Sequence, residues 1–138
     1  MVQAVAQSIP DNVATALTFT VEEFDTDGFH DNAVNNTRIT VVARPGYYEF
    51  RGCYYSAAPT TLVSMDAFFR KNGVTSIASG DRGNDGAIAQ SKSASCIQLM
   101  ALNDYVEFMA LQDSAAAVLT NVSSRFTSYF EWKYLRPL

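Results

Sequence analysis

Pro45-Gly46-Tyr47-Tyr48-Glu49-Phe50-Arg51-Gly52-Cys53-Tyr54-Tyr55 decides the fold. Aromatic and β-branched residues favour strands, the Pro-Gly pair opens this one, and Ala57-Ala58-Pro59 closes it. Successive side chains of a strand point to opposite faces, so the pair Tyr47-Tyr48 must send one ring each way. A sheet that buries one face in a core leaves the other ring to water or to a neighbouring subunit. A tyrosine hydroxyl tolerates water. The pair Phe68-Phe69 has no hydroxyl and asks for apolar cover on both sides.

Outward from that stretch the periodicity stays that of strands. Thr15 to Phe24 alternates around Leu17, Phe19 and Val21, and Asp25-Thr26-Asp27-Gly28 breaks it. Thr37 to Ala43 ends at Arg44-Pro45-Gly46. Leu62 to Arg70 turns through Lys71-Asn72-Gly73, an Asn-Gly hairpin signal, into Val74 to Ile77. Ser79 to Asp85 reads as a polar loop, and Ala87 to Leu102 as one long strand or two. Tyr105 to Leu111, Val118 to Val122 and Thr127 to Leu135 complete the series. Nine or ten short strands predict an all-β sandwich or jelly roll, with residues 1–12 as an N-terminal extension making the first contacts and 13–138 as the single domain.

The composition asks for a partner. Of 138 residues, 48% are hydrophobic and 17% charged, where a typical domain carries about 25% charged residues. So sparse a set of charges leaves a monomer poorly protected against association. The formal charge is −4, with no basic stripe to neutralise phosphates, which argues against nucleic acid and anionic membranes as partners. Apolar runs fall far short of the ~20 residues that span a bilayer. The segment Met1-Val2-Gln3-Ala4-Val5-Ala6-Gln7 lacks the basic and apolar regions of a secretory signal, so the protein is expected either to act where it is made or to leave by another route, such as lysis. Cys53 and Cys96 match neither a zinc nor a redox spacing and read as two buried thiols.

Catalytic patterns are missing from the sequence. His30, the one histidine, reads as a turn residue or a polar contact between subunits, no serine sits in a Gly-x-Ser-x-Gly elbow, and Gly80-Asp81-Arg82-Gly83 lacks the Lys-Ser/Thr of a phosphate loop. An enzyme is not expected, nor a cofactor. Asp25, Asp27 and Asp31 are weak calcium candidates; their spacing is not that of an EF-hand, and turn-forming side chains explain them better. Arg51 and Arg70 are expected to pair with Glu49, Asp66 or Glu107, setting register between subunits if they do so across an interface.

Phe24-Asp25-Thr26-Asp27-Gly28-Phe29-His30-Asp31, Thr37-Arg38-Ile39 and Pro45-Gly46-Tyr47-Tyr48-Glu49-Phe50 together resemble the C1q/TNF-like jelly-roll family, most closely its bacterial and phage branch. Phe69-Arg70-Lys71-Asn72-Gly73, Asn103-Asp104-Tyr105-Val106-Glu107-Phe108, Gln112-Asp113-Ser114 and Phe130-Glu131-Trp132-Lys133-Tyr134-Leu135 continue the pattern to the end of the chain. The resemblance implies a ten-stranded jelly roll assembled as a compact homotrimer, with Tyr47, Tyr55, Phe69, Phe108 and Trp132 as expected trimer contacts. It further implies a virion part made in the host cytoplasm: a capsid decoration or head-fibre protein docked on the major capsid protein. The alternatives are a receptor-binding fibre tip reading a host glycan or protein, and a bacterial C1q-like binding protein. Loops around Ala57, Thr60, Asp81, Arg82 and Asn84 are the expected contact points for such partners.

Overall fold

A computed structural model of the chain describes residues 1–59, 64–80, 83–84, 88–123 and 125–137. The described strands are β1 (Ser8–Ile9), β2 (Thr15–Ala16), β3 (Arg38–Thr40), β4 (Gly46–Tyr55), β5 (Ser64–Lys71), β6 (Thr75–Ser79), β7 (Gly83–Asn84), β8 (Ser91–Met100), β9 (Tyr105–Gln112), β10 (Val118–Leu119), β11 (Val122–Ser123), β12 (Phe126–Thr127) and β13 (Tyr129–Pro137). Two main sheets face each other. One has the order β13-β4-β8; in the other, β2-β9-β5-β6 is extended by β3 on β9 and β7 on β5. All named pairings are antiparallel.

Strand parity builds the core. Tyr48, Phe50 and Tyr54 of β4 face inward with Met65, Ala67 and Phe69 of β5 and with Val106, Phe108 and Ala110 of β9, all buried. Phe130 of β13 sits where these rings converge, with centroids 5.9 Å from Phe19, 6.2 Å from Phe50, 5.4 Å from Phe69 and 6.1 Å from Phe108. Gly52 lies between them. A Cβ built there would come within 2.9 Å of three carbons of the Phe108 ring, so the phenyl seats directly on the glycine backbone.

Two expected features differ. Of the Thr15–Phe24 alternation only β2 joins a ladder, although Leu17 and Phe19 are buried as the pattern requires. Their backbones bond elsewhere: Leu17 N–H donates to Phe108 O and Phe19 N–H to Asn36 O. Residues 1–12 contact the rest of the domain: β1 pairs with β10, Ile9 is fully buried, and Val2 bridges both Val21 and Tyr129. His30, read from sequence as a turn residue or subunit contact, is instead buried, with Nδ1 2.9 Å from Arg38 O and Nε2 3.0 Å from Phe19 O. Both ring nitrogens thus lie within hydrogen-bond distance of backbone carbonyls.

The Asn-Gly hairpin is present, with Asn72 at φ 52° and Gly73 at φ 73°. It locks to the Asn103 turn: Asn72 Nδ2 donates to Asp104 Oδ1 (2.7 Å), Ala101 N–H to Asp104 Oδ2 (2.8 Å), and Lys71 Nζ lies 2.6 Å from Asp104 Oδ2. Burial pushes the Asp104 carboxyl up, but the Lys71 ammonium, the Asn72 amide and the Ala101 N–H outweigh it and hold it below its ordinary value. A depressed carboxylate contributes stability above its unfolded pKa and loses it as pH falls through the folded value. Thermal melts from pH 6 down to pH 2.5 will therefore show a fall in stability that is shallower in Asp104→Asn than in the parent.

Two tyrosines at the same inward parity give a paired expectation. The Tyr48 hydroxyl donates to Arg44 O at 2.7 Å, whereas the buried Tyr54 hydroxyl meets no partner among the described residues. An unsatisfied buried hydroxyl costs about 1–3 kcal/mol, and a satisfied one contributes about 1. Chemical denaturation will find Tyr54→Phe neutral to stabilising and Tyr48→Phe destabilising by about 1 kcal/mol.

Candidate functional site

The outer face of the β13-β4-β8 sheet carries the residues that the core leaves over. On β4 these are Tyr47, Glu49, Arg51, Cys53 and Tyr55. In register with them are Leu99, Ile97, Ser95, Ser93 and Ser91 on β8, and Lys133, Glu131 and Tyr129 on β13 opposite Glu49, Arg51 and Cys53. The face is apolar at both ends. Tyr47 and Leu99 sit side by side near Ile97, which is 63% exposed, and Tyr55 lies 5.9 Å from the exposed Phe126 ring. The Arg51–Glu49 ion pair (2.6 Å) lies between those ends.

Of the five expected trimer contacts, two are on this face: Tyr47 and Tyr55, both half-buried. Phe69 and Phe108 are corrections. Both rings are completely buried between the two sheets, 5.0 Å apart, and offer no surface to a neighbour. In the Phe68-Phe69 pair it is Phe68 that turns outward and remains half-buried. Trp132 is opposite Phe50 in the ladder, so it points inward and packs against the core edge. The arginine pairs also form within one chain, Arg51 with Glu49 and Arg70 with Glu107 at 3.0 Å.

The expected contact loops are only partly described. Thr60, Asp81 and Arg82 lie outside the described residues. Ala57 is half-buried, its N–H donating to Leu119 O, and Asn84 belongs to β7 opposite Ser64, not to an open loop. The aspartates act as turn formers. Asp25 accepts N–H bonds from Asp27 and His30, Asp27 pairs with Arg44, and Asp31 Oδ1 accepts from Ala33 and Val34. Among the described residues no three His, Cys, Asp or Glu side chains converge as a metal site would require.

Cys53 and Cys96 are unbonded. Cys53 pairs with Ser93 on the outer face while Cys96 pairs with Phe50 on the inner one, so the sheet itself separates them. Burial pushes the Cys96 thiol up to about 11, which keeps it an unreactive thiol at neutral pH.

A groove along the free edge of β13 was not foreseen from sequence. It has a volume of about 580 Å3. One wall is Glu131 to Tyr134 and the other Glu23 to Asp27, with Met1 and Arg44 also lining it. Phe24 stands on its rim, 80% exposed. The sequence signal was faint: a phenylalanine just before an acidic turn, and a tryptophan in the last strand.

The fold has relatives among solved structures. The globular domain of zebrafish complement 1qA protein is similar over 90% of this chain and 94% of that one, with a TM-score of 0.52 and 14% sequence identity. The chain is thus an all-β jelly-roll sandwich of the C1q type. No protein-family model matches it, and no curated protein matches it in sequence.

Proposed function

We propose that this chain is a non-enzymatic structural domain that works as a homotrimer, joined through the outer face of the β13-β4-β8 sheet. The observation that carries the reading is the pair of apolar ends on that face, Tyr47, Leu99 and Ile97 at one and Tyr55 and Phe126 at the other. A low charge content of 17% supports it, as does a jelly-roll fold of the C1q type. Both ring nitrogens of His30 are occupied by backbone carbonyls, which leaves none to act as a base.

In this reading the trimer decorates the capsid of a phage, made in the host cytoplasm and released by lysis, with the major capsid protein as its docking partner. That setting rests on the resemblance of the sequence motifs to the phage branch of the family. The β13 groove favours a second reading, a binding domain such as a fibre tip or a bacterial C1q-like protein, since it places Trp132 and Tyr134 beside an open cavity. Light scattering will return three times the 15.1 kDa chain mass for the parent and a single chain mass for Ile97→Arg. Ile97→Arg will keep the parent's circular dichroism, because the side chain is exposed in the single chain. A monomeric parent at micromolar concentration overturns the trimer. Cryo-electron microscopy of purified particles separates a head position from a tail position, and absence from particles overturns both.

A further inference from the structure

We infer that the β13 groove is a strand-addition site, built to take an extended, lysine- or arginine-bearing segment of a partner polypeptide as a further strand of the β13-β4-β8 sheet. The groove shares Glu49, Arg51, Glu131 and Lys133 with the sheet face proposed to join the trimer, and lies at the β13 margin of that face. β13 is the edge strand of its sheet, and only the start of its free edge is covered. Gln3 N–H donates to Ser128 O, and Phe130 exchanges two bonds with Met1, N–H to Met1 O and O from the Met1 amine, both 3.0 Å. In an antiparallel ladder alternate residues direct their backbone groups to the same side. Trp132 and Tyr134 therefore turn N–H and C=O to the same edge as Phe130, and neither finds a backbone partner there among the described residues.

The slot already fits one strand. Val2 lies in it, exchanging bonds with Val21 on one side (2.9 and 3.3 Å) and bridging Tyr129 on the other. Past Met1 the same slot opens as the groove between 131–134 and 23–27. Edge strands in native proteins are commonly protected by charge, bulges or cover. Here a register shift falls only beyond Tyr134, so the open stretch is regular.

Charge selects the occupant. Of the lining cations, Arg44 is taken by Asp27 and Arg51 by Glu49. Glu23, Asp25 and Glu131 then face the groove against two cations: the Met1 ammonium, which interacts with all three, and Lys133, the one lining lysine or arginine outside an ion pair among the described residues; the lining stays acidic by one charge. A strand added beside β13 would alternate its side chains: those on the inner parity cover Trp132, Tyr134 and Phe24, and those on the outer parity lie beside Glu131 and Lys133. Apolar and basic residues in alternation satisfy both.

The test uses the full chain and a capped heptapeptide of alternating lysine and valine, read by the fluorescence of Trp132, the chain's single tryptophan. The expected result is a saturable emission change. Peptides N-methylated at alternate backbone nitrogens, or carrying glutamate for lysine, will bind at least ten-fold more weakly. Glu23→Lys, on the loop wall and exposed, will weaken the lysine peptide at least five-fold while leaving the melting temperature unchanged. No saturable change overturns the proposal, as does equal binding of the N-methylated peptide, which would mean charge attraction without a ladder. Slow hydrogen exchange at the Trp132 and Tyr134 amides of the free chain also overturns it, because the edge would then be filled by another copy or segment.

Discussion

Phe130→Ala will cost the fold about 3–5 kcal/mol, enough to lower the melting temperature by roughly 10 °C or more. The ring is fully buried and is the hub of the aromatic cluster, touching Phe19, Phe50, Phe69, Phe108 and Trp132. Truncation removes its transfer free energy and leaves a cavity. Four of the five surrounding rings come from strands of both sheets (Phe50, Phe69, Phe108 and Trp132), and Phe19 follows β2, so none can move in without breaking its own packing. Each tilted or edge-on ring pair adds about 0.5–1.5 kcal/mol beyond buried area. Phe126→Ala, on a half-exposed ring outside that cluster, is the control and will cost about 1 kcal/mol or less. Urea denaturation of the two variants with unchanged slopes will separate them; a similar midpoint for both would mean that Phe130 is not the centre of the core.

Gly52→Val will be the second large loss, at or above the upper end of the about 1–3 kcal/mol typical of overpacking. A valine brings three carbons into space where even one Cβ lies 2.9 Å from the Phe108 ring. The ring has no retreat, since Phe69 lies 5.0 Å away and Phe130 6.1 Å away. The two residues are therefore coupled, and their substitutions will not add. Phe108→Ala alone leaves a cavity over Gly52, but with Gly52→Val part of that cavity is filled. The double variant will be more stable than the sum of the single losses predicts by at least 1 kcal/mol. Additive losses would show that the ring does not rest on the glycine.

The strand order along the chain was legible because alternation and turn chemistry are local. Tyr47 to Tyr55, Tyr105 to Leu111 and the Asn72-Gly73 hairpin all read correctly for that reason. Parity was not legible at the doubled aromatics. Nothing local distinguishes Phe68 from Phe69, and the choice of Phe69 for the core follows from its place opposite Phe108 in the β5–β9 register. Trp132 was assigned outward for the same reason and is turned inward by pairing with Phe50. The Thr15–Phe24 pattern was right for Leu17 and Phe19 but not for Val21, which is 41% exposed, and its strand stops at β2 because the next backbone bonds go to Phe108 and Asn36, contacts far off in sequence. The groove was the least legible feature. It exists only where residues 23–27 and 131–134 meet, and neither segment announces the other.

The position of β4 has a consequence for the order in which the molecule is made. Residues 46–55 form the middle strand of their sheet, yet their neighbours are residues 91–100 and 129–137. On the ribosome β4 emerges long before either flank, so Tyr48, Phe50 and Tyr54 remain without a complete core until the final strand has been synthesised. The pairing of residues 1–3 with 128–130 then waits on the same event. Topologies built from such distant pairings fold in milliseconds to seconds, not microseconds. During translation the aromatic face that later becomes the core is the surface most in need of a chaperone, and folding becomes all-or-none only when the last strand arrives.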